Sequence, residues 1–131
     1  MPRFSQTSLD RLATLDIDLQ EILLEAIKLY DFTVVCGHRP DSVQAELYAQ
    51  GRTKPGPIVT YKLPGESIHN QMPSRAVDVA PYRNGKIQWD DERAFYHLAG
   101  IILGLAHARG VNVTWGGTWK MRDYPHFEIS T

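Results

Sequence analysis

The segment Ser67-Ile68-His69-Asn70-Gln71-Met72-Pro73-Ser74-Arg75-Ala76-Val77-Asp78-Val79-Ala80-Pro81 decides how the rest of the chain is read. It opens as a loop carrying a histidine. It closes as an alternating run over residues 76–80, the period of a strand. Asp78 stands in that run among small and β-branched apolar residues, where an unpaired carboxylate is costly to bury. A metal ion would remove that cost. Imidazole plus carboxylate is a common half of a zinc site, and Asp123-Tyr124-Pro125-His126-Phe127-Glu128 near the C-terminus offers the other half. His69, Asp78 and His126 would hold the ion and leave a fourth position for water. Asp123 lies three residues before His126, close enough to act on that water. The ligands converge only if the strand beginning at His126 pairs beside the strand of Asp78.

Upstream, residues 8–14 read as a short lead-in helix. Asp18-x-x-Glu21 is a capping-box pattern, followed by Leu19, Ile22, Leu23, Ala26, Ile27 and Tyr30 at helical spacing. Residues 31–36, Asp-Phe-Thr-Val-Val-Cys, form an apolar β-branched run that predicts a buried strand. The strand runs into Gly37-His38-Arg39-Pro40, and Pro40 suits the first turn of a helix over residues 41–50 that stops at Gly51. Arg39 therefore sits at a strand end, where side chains often reach a site, and Gln44 follows five residues later. Residues 52–66 hold three prolines and no helical period, a long loop expected to wall a groove leading to His69.

Downstream, Asn84-Gly85 is the signature of a tight hairpin. Asp90 is the expected N-cap of a long helix whose buried face is Phe95, Leu98, Ile102 and Leu105 and which ends at Gly110. Residues 111–115 read as a strand, Gly116-Gly117 as a turn and residues 126–129 as the last strand. Trp115 is assigned to the core, whereas Trp119 could wall a groove. Glu128, two residues past His126, is a candidate for holding a ligand ring. His97 and His107 share the long helix but lie ten residues apart and project differently, and no motif supports His38 as a ligand.

Composition narrows the function. The chain has 131 residues and is expected to form one domain. Fourteen Lys and Arg against fifteen Asp and Glu leave no field that would favour nucleic acid or an anionic membrane. The single cysteine, Cys36, rules out an internal disulfide and a multi-cysteine zinc knuckle, and its apolar surroundings in sequence suggest a buried inert thiol. No apolar run is long enough to span a membrane. The N-terminus lacks the apolar core of a signal peptide, so synthesis and initial residence in the cytoplasm are expected.

Taken together, Ser-x-His at residues 67–69, Ala-Val-Asp-x-Ala-Pro at 76–81 and Asp-x-x-His-x-Glu at 123–128 resemble the M15 zinc metallopeptidases. Among them the chain is most similar to the phage endolysin branch of L-alanyl-D-glutamate peptidases, relatives of the D-Ala-D-Ala peptidases. The interval between His69 and Asp78 is longer than in some members, and the resemblance places the extra residues in a bulge near Pro73-Ser74.

The resemblance implies an α+β fold, a small mostly antiparallel sheet with helices on one side, as in D-Ala-D-Ala peptidases and hedgehog domains. It implies Zn2+ as cofactor, with His69, Asp78 and His126 as ligands. Asp123 would be the general base and Arg39 would face the substrate, with Gln44, Ser67, Trp119 and Glu128 around them. The implied substrate is the peptidoglycan stem peptide, cut between L-Ala and D-Glu by a monomer that reaches the periplasm after release by another factor. A D,D-carboxypeptidase or dipeptidase acting on cell-wall peptides remains an alternative, as does a zinc-bound domain without catalysis. Retention of Asp123 argues against the last. No His-Glu-x-x-His is present, which excludes the thermolysin-like class.

Overall fold

A computed structural model describes residues 2–130. Four helices, α1 (Gln6–Leu12), α2 (Ile17–Ala26), α3 (Asp41–Ala49) and α4 (Glu92–Ala108), accompany five strands. The strands are β1 (Phe32–Cys36), β2 (Ala76–Arg83), β3 (Lys86–Ile87), β4 (Val113–Trp115) and β5 (His126–Ile129). The sheet runs β1-β2-β5-β4 with every pairing antiparallel, and β3 folds back on the end of β2. None of its helices is long and apolar enough to cross a membrane.

The pleat gives the central strands two different faces. Val77, Val79 and Phe127 are buried in the core with Leu19, Ile22 and Leu23 of α2 and Leu98 and Ile102 of α4. Asp78, His126 and Glu128 alternate with them and point to the other face. The register joins the two halves of the site directly, because Asp78 lies opposite His126 across the β2–β5 pair.

β1 is an edge strand whose outer side would otherwise expose unpaired backbone. α1 covers it: Val34 N–H donates to Ser8 Oγ at 3.1 Å, and Arg11 Nη1 donates to the Val34 carbonyl at 3.0 Å. The register of β1 on β2 slips between Val34 and Cys36, which sets Cys36 opposite Asp78. Simple alternation groups Cys36 with Phe32 and Val34 in the core. The bulge instead turns it toward the site face, where it is half-buried rather than sealed, and this corrects the reading of an inert core thiol.

Two helix starts also differ from expectation. The N-cap of α2 is Asp16, whose carboxylate accepts the Asp18 N–H at 2.9 Å, so Asp18 lies in the first turn. The N-cap of α4 is Asp91, which accepts from Ala94 N–H at 3.1 Å; Asp90 precedes it. In both cases adjacent acids compete, and only the geometry of the entering chain selects one. The hairpin follows its sequence signature, with φ of 53° at Asn84 and 76° at Gly85. Near Pro73, residues 71–73 are exposed, while Ser74 is fully buried and ties the segment to α1 and α2 through Thr14 and Asp16 backbone bonds.

The cap assignment at α2 is testable. Asp16→Ala should cost about 1 kcal/mol in urea unfolding, and Asp18→Ala no more than about 0.5 kcal/mol. The reverse order would return the cap to Asp18.

Candidate active site

His69 lies in a 3-10 turn, Ile68–Asn70, held by a reciprocal cap. Ser67 Oγ accepts the His69 N–H at 3.3 Å, and Asn70 Oδ1 accepts the Ser67 N–H at 3.2 Å. Asn70 Nδ2 also donates to the Arg39 carbonyl at 2.8 Å, and Arg39 N–H donates to the His69 carbonyl at 2.6 Å. The turn and the end of β1 are thus one unit. Ser67 serves as the cap that orients His69, and Asn70, which the sequence reading passed over, completes the lacing. Its signal was the Ser-x-x-Asn spacing of a capping box.

Each imidazole is held from behind. His69 Nδ1 lies 2.9 Å from the Gly37 carbonyl, which only accepts, so that nitrogen carries the proton. His126 Nε2 lies 2.7 Å from Glu128 Oε1 and donates to it. In the neutral rings the other nitrogens, Nε2 of His69 and Nδ1 of His126, present lone pairs to the centre. They lie 3.3 Å from one another, and 3.5 Å and 3.3 Å from Asp78 Oδ1. That oxygen is buried and receives no hydrogen bond of good geometry. Three electron-rich atoms face each other.

A positive charge resolves this arrangement. Burial disfavours imidazolium at His69, yet the adjacent Asp78 carboxylate outweighs it and pushes the pKa up to about 10. His126 is raised in the same way. Burial would raise Asp78, but both histidines hold it far below the usual carboxylate range. The centre therefore draws in protons or a metal cation. Geometry favours the metal: a tetrahedral ion with donors at about 2.0–2.1 Å has donor–donor edges of about 3.3 Å, close to the triangle present here. These three residues fit a metal ion without rearrangement.

Around the triangle lies a cavity of about 450 Å³ whose walls include Arg39, Lys62, Ser67, Trp119, Asp123 and Glu128. Asp123 has carboxylate oxygen within 4.8 Å of the Asp78 and His126 donor atoms. Its outer side is open to solvent while its inner side is crowded. Loss of water on that side, then the charge of Asp78, raise its pKa against the opposing pull of His126, His69 and Arg39. Its segment is fastened at two points. Asp123 N–H donates to the Gly116 carbonyl at 2.9 Å, and Trp115 Nε1 donates to the Tyr124 carbonyl at 2.7 Å. At Gly116 a side chain would collide with the Asp123 carbonyl, so the close approach requires glycine. Gly116–Thr118 forms a 3-10 turn rather than a simple reversal. Trp115 packs in the core, and the Trp119 ring sits 5.0 Å from that of His126.

Arg39 reaches the centre from β1, its Nη2 at 3.8 Å from Asp78 Oδ2. Gln44 does not line the cavity. It is fully buried, its Oε1 accepting from Arg39 Nη1 at 2.9 Å and its Nε2 donating to the Lys62 carbonyl at 2.6 Å. Cys36 lies with His69 and Asp78 in a second ligand-type cluster. Burial raises its thiol pKa, but the hydrogen bond and charge of His69 and the charge of Arg39 leave it below its usual value. His97 stacks on Tyr30 at 4.5 Å, His107 is exposed on α4, and His38 is absent from the cavity wall, so none joins the triangle.

The family model of the phage L-alanyl-D-glutamate peptidases matches residues 1–131, the whole chain. The chain belongs to this family. Among relatives of these peptidases, the L-alanyl-D-glutamate peptidase of Escherichia phage T5 is 33% identical over 129 residues, 97% of this chain and 88% of its own length. The Bacillus subtilis peptidoglycan L-alanyl-D-glutamate endopeptidase CwlK is 40% identical over 108 residues, 79% of this chain; the match spans 64% of the Bacillus protein. The crystal structure of the Serratia marcescens L-Ala D-Glu endopeptidase ChiX superposes with a TM-score of 0.80 at 26% identity, covering 98% of this chain and 91% of that one. The α+β fold with its open antiparallel sheet is thus the fold of a family member.

The bond from Glu128 to His126 makes a specific prediction. Glu128→Ala should lower affinity for a divalent transition metal about ten- to a hundredfold, measured by competition against a chelating dye. Affinity equal to the wild type would show that the carboxylate does not support the ring.

Proposed function

We propose that this chain is a zinc-dependent peptidoglycan endopeptidase that hydrolyses the bond between L-Ala and D-Glu in the stem peptide, acting as an endolysin. The observation that carries the reading is the triangle of His69 Nε2, His126 Nδ1 and Asp78 Oδ1, with Asp123 at its edge. Two imidazoles and one carboxylate, with one side open to a cavity, form the donor set of catalytic zinc. When bound there, zinc supplies a Lewis acid that lowers the pKa of water and polarises a carbonyl.

The protein's own groups do the rest. Asp123 takes the proton of the attacking water and delivers it to the departing nitrogen, a task suited to a carboxylate held above its ordinary pKa. Arg39, oriented by Gln44, offsets negative charge developing on the carbonyl oxygen. The Gly37 carbonyl and Glu128 keep the two histidines in the ligating tautomer. Trp119 lines the cavity beside His126. All of these groups lie on one chain, so the reading needs no second copy to complete the site. The names of the relatives support the bond assignment, and a wall substrate supports action in the periplasm.

Two measurements test this. Asp123→Asn should retain one zinc per chain by elemental analysis and lose about a hundredfold or more in kcat; near-normal turnover would remove Asp123 from the mechanism. Mass spectrometry of digested peptidoglycan should find peptides with a new D-Glu amino terminus and L-Ala left on intact glycan strands. Release of free D-Ala without stem cleavage would support a carboxypeptidase instead.

A further inference from the structure

The cavity walls are separated by charge. Asp123 and Glu128 flank His126 on the β5 side. Arg39 and Lys62 are the cations among the described residues lining the cavity, and both lie on the side formed by the end of β1 and the 52–66 loop. Gln44 joins them, with one amide atom on the Arg39 guanidinium and the other on the Lys62 carbonyl. The loop is secured further where Lys62 N–H and Gln44 Nε2 both donate to Thr60 Oγ1, at 3.1 and 3.3 Å.

The two cations are not equivalent. Arg39 is held beside the triangle by Gln44, Cys36 Sγ at 3.8 Å and Asp78 at 3.8 Å, where the proposed mechanism uses it on the carbonyl oxygen. Arg52, the other nearby cation on this loop, spends its guanidinium on the Tyr48 and Thr60 carbonyls and the Tyr48 ring. Lys62 has its backbone pinned while no carboxylate of the described residues pairs with its ammonium. Lys62 is exposed and lines the cavity, and an ammonium without an ion-pair partner at that rim is suited to bind an anion of the ligand. Its long stem lets a point charge reach inward.

The proposed substrate supplies such an anion on one side of the bond only. Glutamate has two carboxyl groups, and whichever one continues the peptide, the other remains a free carboxylate near the scissile nitrogen. L-Ala has none. We infer that Lys62 is a specificity-determining residue that binds the free carboxylate of D-Glu and so places the D-Glu half of the substrate on the loop side of the cavity. This rests on the endopeptidase reading above and adds the group that distinguishes its two halves.

The test uses two synthetic stem peptides, identical except that the free carboxyl of D-Glu is left ionised in one and converted to the primary amide in the other. The zinc-loaded wild type should favour the carboxylate form by about tenfold or more in kcat/KM, the scale of a charged hydrogen bond. In Lys62→Met that ratio should fall toward one with zinc content unchanged, and Lys62→Arg should keep most of it. A wild type without the preference, or a Lys62→Met variant that keeps it, overturns the assignment. A wild type that cuts neither peptide overturns the endopeptidase reading, and this inference with it.

Discussion

Three electron-rich atoms brought within 3.5 Å of one another are the constraint on which this structure depends. In water each would be solvated. Here all three are buried on one sheet face, and the orphaned Asp78 oxygen has no hydrogen bond to offset its burial. Such a cluster persists only if the surroundings prevent it from relaxing and a cation compensates it. The surroundings are specific: a carbonyl at the end of β1 fixes one ring, a carboxylate two residues along β5 fixes the other, and the β2–β5 register fixes Asp78 opposite His126. Much of the fold outside the helical core can be understood as the means of holding those positions.

The same logic accounts for the lacing around His69. A 3-10 turn of three residues has little stability of its own. Ser67 and Asn70 cap it, and the pair of bonds with Arg39 ties it to the strand that also delivers the arginine. His69 and Arg39 are therefore anchored to one another. Asp123 belongs to another, fastened through Gly116 and the indole of Trp115 to the core. The side chains around the triangle thus come from two separately anchored units that meet across β2 and β5.

The convergence of His69, Asp78 and His126 was legible because each occupies a place where chemistry leaves a trace: a histidine closing a loop, a carboxylate inside an apolar strand, and a histidine opening the last strand. The strand pairing that unites them was a condition the sequence could pose but not decide, since residues 78 and 126 meet only through the sheet. Cys36 was misread because alternation is unaware of a bulge, and a one-residue slip exchanges faces. The caps at Asp16 and Asp91 were each missed in favour of a neighbouring acid of similar propensity. Gln44 was placed near the site but not inside the wall, and nothing in the local sequence marks Lys62, whose relevance comes from what its ammonium lacks. The loop was foreseen as a wall; its chemistry needed coordinates.

Cavity-facing polar residues and core residues alternate along the same short strands, Val77-Asp78-Val79 and His126-Phe127-Glu128. A one-residue insertion or deletion in either strand would exchange the two faces, burying charge among the helices and exposing apolar side chains at the site. Those segments are closed to changes of length. The 52–66 loop contributes no residue to the triangle and is joined to the rest through Gln44, through contacts of Arg52, Lys54 and Pro57 with Tyr48, Glu46 and Gln50, and through Asn70 and backbone bonds. It can be shortened, extended or exchanged at modest cost in closure entropy. The scaffold therefore divides into a part that tolerates no indels and a part open to grafting, and an engineer seeking a new substrate should begin with the loop and leave the strands untouched.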